Sequence, residues 1–271
     1  MHWFIPYDFS SFLFVTWLVA ALLFARGSRQ RPVSVARRTS FWGGMGLLYI
    51  ASFTHFDFYA LHQFSVDRIQ QVVLHHVIPL LIVLGRPLPV WRSALTVRHR
   101  ARIIRPLRRS RVWRVTLAIV FSPLLATLLF IAVVIFWLIP QMMTLAMLDV
   151  HLYRIMNFSM LASGLIYWSL VLDHRPRPPA RMAPGARVLS PLLSMTPQIL
   201  VGAFITFSHV DLYPIFSICG RAFDTSAMTD QVYGGLITWI PAALIETAAA
   251  ILALRAWMAL SPKTAHRDQG R

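Results

Sequence analysis

Histidine is the residue type to follow first, because only three of the ten histidines (His99, His174 and His266) fall in the arginine-rich segments of the chain. An imidazole inside or beside an apolar run is a metal ligand, a proton carrier or a hydrogen-bond partner. His55 ends one apolar run and His62 follows it, His75 and His76 sit inside the next, and His151 and His209 flank two later ones. Asp67, Gln71 and His75 are spaced by four residues, so a helix would carry them on one stripe. Methionines gather nearby: Met142, Met143 and Met147 precede Asp149 and His151, and Met156 and Met160 follow one turn apart. Thioether and imidazole together suit Cu(I) better than zinc, magnesium or calcium. The expected ligands of an outward-facing Cu(I) site are therefore His55, His75, His76, His151, Met142, Met143 and Met147. The metal would be held for transfer and not to stabilise the fold. Each residue also has a plainer use, since methionine packs and helix-end histidines bond across helices.

Two further features bear on that chemistry. Side chains of the neighbours His75 and His76 leave a helix about 100° apart. One joins the Asp67–Gln71 stripe and the other faces an adjacent helix. Glu246 lies near the middle of the last apolar run, where a carboxyl group is a hydrogen-bond donor, a proton-relay element or the partner of a histidine. Cys219 is the sole cysteine, so an intrachain disulfide is excluded; it is itself a soft ligand type. No phosphate-cradling glycine loop, nucleophile elbow or HExxH motif occurs, and the expectation is a protein that is not an enzyme.

The elements that must position these residues are apolar helices. The composition is 57% hydrophobic and only 13% charged, too apolar for a soluble chain of 271 residues. In a bilayer only helices or closed barrels satisfy the backbone, and the apolar runs are continuous, not alternating. Seven runs approach the roughly 20 residues that a span needs. They lie near 9–26, 40–58, 69–86, 114–139, 155–173, 189–208 and 232–257. The expected fold is thus an all-α membrane protein of about seven transmembrane helices in one domain, residues 1–271.

Orientation follows from the basic residues. Loops one, three and five and the tail hold 23 of the 26 Lys and Arg, and the alternate loops hold only Arg68, Arg154 and Arg221. The charge rule then puts the N-terminus outside and the C-terminus in the cytoplasm. A net charge of +16 confined to such loops points to topology and anionic membrane lipids, not to nucleic acid.

Several segments resemble the CtaG family of multi-span cytochrome c oxidase assembly factors. They are His76 to Pro79 with Gly85-Arg86-Pro87, Phe136-Trp137 with Pro140, Gly164 with Tyr167-Trp168, and Phe207-Ser208 with Leu212-Tyr213-Pro214. The resemblance is greatest at Asp230-Gln231, Gly234-Gly235, Trp239 and Pro241. It implies a multi-pass protein of the bacterial inner membrane that helps mature a haem-copper oxidase, handling copper on the periplasmic side. Its partners would be oxidase subunits and a copper donor protein. Asp67, Gln71, Asp230, Gln231, Trp239 and Glu246 are the expected supporting residues. The chain departs from the family pattern at Asp67 and Gln71, at Leu138, and at Met156-Asn157. Either the site is rebuilt from other histidines and methionines, or copper binding is lost and a metal-free scaffold remains. A transporter using Glu246 and His76 is the other alternative.

Overall fold

The computed structural model describes residues 10–104, 106, 109–173, 175 and 178–268, and helix is the only regular element among them. Asp8, Arg105, Arg108, His174, Arg177 and Arg271 lie outside the described residues.

Helices α1 (Ser11–Gln30) and α2 (Val35–Phe53) are joined by aromatic contacts, Phe24 stacking on Phe41 with ring centroids 3.7 Å apart. The short α3 (Phe56–His62) leads into α4 (Phe64–Leu84), which carries more buried polar side chains than any other helix among the described residues. Helix α5 (Pro87–Ala94) lies against α1, where the Trp91 indole donates to the Ala20 carbonyl at 2.9 Å. Then α6 (Arg111–Val120) and α7 (Pro123–Leu138) meet at a 60° bend. Pro123 explains the bend: it has no N–H to donate, and it holds the preceding Ser122 in an extended conformation. Pro140 separates α7 from α8 (Pro140–Leu148) in the same way, with Ile139 extended. Apart from short helical turns at Val97–His99 and Arg100–Ile104, the remaining helices are α9 (Val150–Val171), α10 (Pro184–Phe207), α11 (Ile215–Ile218) and α12 (Ala227–Asp268).

Helices α10 and α12 run in close contact because small residues face each other. A Cβ added at Gly235 would sit 2.8 Å from the Thr206 backbone nitrogen and 3.0 Å from the Gly202 carbonyl oxygen. Such small-residue seams are how helices associate where lipid supplies no hydrophobic drive.

The distribution of polarity marks a membrane protein. Large apolar side chains such as Leu22, Leu124, Phe204 and Leu244 are exposed, while Asp67, Arg68, Gln70, His75, Gln198 and Glu246 are buried. Water would favour the reverse; hydrocarbon favours this arrangement. Among the described residues four helices are long and apolar enough to cross a bilayer, and five if the bent α6–α7 pair is one span. The four are α1, α4, α10 and residues 227–259 of α12. The runs expected at 40–58 and 155–173 are helical, as α2 and α9. Arg37 and Arg38 in the first, and Arg154 and Asn157 in the second, dilute their hydropathy.

A buried polar centre on helix four

Helix α4 begins inside the protein, so its first N–H groups need acceptors. Asp230, at the start of α12, supplies them. Its carboxylate accepts from the backbone N–H of Phe64 at 3.0 Å and of Ser65 at 2.9 Å, and it pairs with Arg221. A negative charge is also favoured at a helix N-terminus. The neighbouring Gln231 accepts from the Leu212 N–H at 2.7 Å and donates to the Val210 carbonyl at 3.0 Å. These two side chains thus tie the α10–α12 connection to the head of α4. Trp239 covers the face of Gly202, where an added Cβ would meet its ring.

One turn into α4 the buried polar residues bond each other. Arg68 Nε donates to Asp67 Oδ2 at 2.9 Å, and both side chains are buried. Gln71 donates to Asn157 of α9 at 2.8 Å. Gln70 donates to Asp57 at 2.5 Å and accepts from the Tyr153 hydroxyl at 2.7 Å. Each of these side chains finds at least one partner within the protein, which is what burial away from water demands.

Deeper in, α4 changes form. Val73–Val77 is a π-helical segment, in which the Ile78 N–H returns to the Val73 carbonyl. Pro79 removes the N–H that would otherwise bond the carbonyl of His75. That carbonyl accepts instead from the indole of Trp168 on α9, at 3.4 Å. Close approach of α9 requires Gly164, where an added Cβ would lie 2.7 Å from Pro79 Cγ. Single π turns inside helices are frequent at functional sites. Here the turn carries His75 and His76, whose rings lie 4.7 Å apart.

Both histidines line a cavity at the junction of α4, α7, α9, α10 and α12, together with Arg68, Gln71, Met160 and Gln198. It offers about 10 Å³ to the centre of a water molecule, room for roughly one. His76 Nε2 lies 3.0 Å from Glu246 Oε1. Glu246 also accepts from Gln198 Nε2 at 2.7 Å and Ser194 Oγ at 2.5 Å. In contrast, both ring nitrogens of His75, Nδ1 of His76, Oε1 of Gln71 and Oε1 of Gln198 are buried without a hydrogen-bond partner. All five atoms belong to residues on this cavity. Buried polar groups are normally satisfied, so this cavity, which holds five of the six such open atoms among the described residues (the sixth is Trp239 Nε1), is the candidate site.

The other expected ligands stand elsewhere. His151 is exposed at the start of α9, thirteen residues before the Gly164 that packs on His75, or ~20 Å along the helix axis. His55 caps α3 and stacks on Phe58 with ring centroids 5.2 Å apart. Met143 is fully buried with its sulfur 4.0 Å from Arg68 Nη2, and Met142 and Met147 pack half-buried against the apolar core. No cluster of three or more His, Cys, Asp or Glu side chains suited to a metal occurs among the described residues. The residue that the seven expected ligands omit is Met160, the thioether on the cavity wall. Its one-turn spacing from Met156 was the available signal. Gln198 was legible by the logic applied to Glu246, as a polar side chain inside an apolar run.

Fold and centre together define a helical membrane protein with a small interior pocket lined largely by polar residues. The chain belongs to the cytochrome c oxidase caa3 assembly factor family, whose model matches residues 15–259. No curated protein and no solved structure matches it. Membership of a family of assembly factors suggests a non-catalytic role.

Proposed function

We propose that this protein acts in the bacterial inner membrane as an assembly factor for a haem-copper cytochrome oxidase, and that its cargo is Cu(I) bound at His75 and Met160. The carrying observation is that His75 has two unpartnered, fully buried ring nitrogens on a cavity whose wall includes the Met160 thioether. Imidazole and thioether are the donor types that Cu(I) prefers. Asp67 balances the charge of Arg68 beside the cavity, so a monovalent cation meets no uncompensated repulsion from it. On this reading copper comes from a donor protein on the outer side and leaves for an oxidase subunit, while the arginine-rich loops lie against anionic lipid. His55, His151, Met142, Met143 and Met147 would lie outside the primary shell.

The reading is tested by titrating the purified protein with Cu(I) in competition with a chromogenic chelator. One equivalent is expected to bind, with binding lost in His75→Ala and Met160→Leu and kept in His151→Ala. Absence of binding by the unaltered protein would leave the metal-free scaffold as the role.

A further inference from the structure

The Glu246 cluster does not end at Glu246. Ser194 Oγ, which donates to Glu246 Oε2 at 2.5 Å, lies 3.2 Å from the Tyr167 hydroxyl. Tyr167 accepts from Ser190 Oγ at 3.1 Å, and Ser190 lies 3.2 Å from Thr127 Oγ1. Thr127 donates to the Pro123 carbonyl at 2.8 Å, at the head of α7. These distances reach from typical to long for hydroxyl hydrogen bonds. Each step moves toward the arginine-rich end: Ser190 is one turn nearer than Ser194 to the start of α10, and Thr127 is one turn from the start of α7. Tyr167, Ser194 and Glu246 are fully buried, whereas Thr127 is half-buried beside the α6–α7 break.

Packing alone does not call for this chain. A serine or threonine in a helix satisfies itself on a carbonyl of its own preceding turn. Ser194 and Thr127 each have such a carbonyl within reach, at Pro191 and Pro123, as an acceptor for their one hydroxyl proton. The rows nevertheless meet through one phenol from a third helix, giving consecutive hydroxyls on α7, α10, α9 and α10 before the carboxyl on α12.

The opposite side of the cavity is different. There Arg68 stands on the wall, and a fixed guanidinium in a narrow passage obstructs cations and protons. Among the described residues, the charged or titratable groups around the His76–Glu246 pair are His75, with its ring 4.7 Å from that of His76, Arg68 on the cavity wall, and Tyr167.

We propose that Thr127, Ser190, Tyr167 and Ser194 form a proton path between the His76–Glu246 pair and the arginine-rich face of the protein, closed on the other face by Arg68. In one passage Ser194 passes its proton to Glu246 and takes one from Tyr167. Tyr167 takes one from Ser190, which is replenished through Thr127 or by water at the half-buried end. Every hydroxyl regains what it gives, so the net event is one proton moved and no other bond changed. The path needs no metal in the cavity, and it stands or falls separately from the copper reading.

The test tracks the proton shared by His76 Nε2 and Glu246 in metal-free protein carrying isotope-labelled histidine. Its resonance is identified by its displacement in Glu246→Gln, and its exchange is timed after transfer into deuterated water. Tyr167→Phe and Ser190→Ala should each slow exchange about tenfold or more, equivalent to ~1.4 kcal/mol on the barrier. Asn157→Leu, on the outer side, should leave it unchanged. Loosened packing would accelerate exchange and so does not imitate this result. Unchanged or faster exchange in both inner variants overturns the proposal, as does slowing confined to Asn157→Leu.

Discussion

The indole N–H of Trp168 reaches the carbonyl of His75 at 3.4 Å, and that carbonyl is the one whose helical donor Pro79 removes. A membrane helix tolerates a proline when a neighbour satisfies the freed group, and Trp168 is that neighbour. Trp168→Phe keeps an aromatic ring but removes the indole N–H, and with it this bond to the His75 carbonyl. The expected cost is about 1–3 kcal/mol, seen as a lower melting temperature in detergent. Equal melting of variant and unaltered protein would mean that the contact contributes nothing.

Asp230 secures the head of α4 from a position 166 residues away in sequence. Asp230→Ala removes the cap of two N–H groups and strands Arg221, which is 11% exposed. Breaking a pair of this kind costs about 3–5 kcal/mol. Asp230→Asn retains an acceptor and should be milder. Membrane levels of both variants and oxidase activity in a complementation assay check the order, with Asn above Ala.

Glu246 receives three hydrogen-bond partners, His76, Ser194 and Gln198. Glu246→Leu strips buried His76 of its acceptor and leaves Ser194 and Gln198 only carbonyls of their own helix, and at ~1–3 kcal/mol for each poorly satisfied group the fold should fail. Glu246→Gln keeps an acceptor oxygen and should fold. Size-exclusion profiles of the two purified variants make the comparison, and a well-folded Leu variant would contradict it.

Gly164 faces the His75 carbonyl and the Pro79 ring. Gly164→Val places branched carbons where no space exists, and overpacking of a rigid backbone contact costs about 1–3 kcal/mol or more. It should also displace the π turn and thereby abolish the proposed Cu(I) binding. A variant that melts and binds as the unaltered protein does would refute the close packing.

Asp149 caps α9 from outside the span, accepting from the backbone N–H of Leu152 at 3.1 Å and of His151 at 2.7 Å. The Leu152 bond first, and the His151 bond next, hold its carboxyl below the usual carboxylate range. A lowered folded pKa means the stabilisation is complete above the unfolded value of about 3.9 and fades as pH falls through the folded one. Amide exchange at His151 and Leu152, corrected for intrinsic pH dependence, should therefore quicken in that acid window. In Asp149→Ala it should already be fast at neutral pH.

Composition and run length alone were enough for an all-helical membrane protein, because a bilayer admits only helices or closed barrels and these runs do not alternate; of the seven expected spans, four helices among the described residues, or five with the bent pair, are long and apolar enough to cross. The costly residues were legible too: His75, His76, Asp67 and Glu246 announce themselves by standing in apolar runs. Spacing also put Gln71 and His75 on one stripe, and both line the cavity. The linear order does not contain which helix faces meet. Met143 and Met160 look alike in the sequence, yet one packs beside Arg68 and the other reaches the cavity. His151 shares its helix with Met160 but lies at its exposed end. The π segment is the clearest case. A period of 3.6 residues gives each side chain a direction, and one wider turn at Val73–Val77 shifts that phase for the rest of the helix. Only the packed structure, in which Pro79, Gly164 and Trp168 interlock, brings both histidines onto one cavity. Likewise, no periodicity could reveal that serines, a threonine and a tyrosine on three helices are consecutive in space. Helix geometry is local and set by the sequence at hand; the choice of neighbour is a property of the whole bundle.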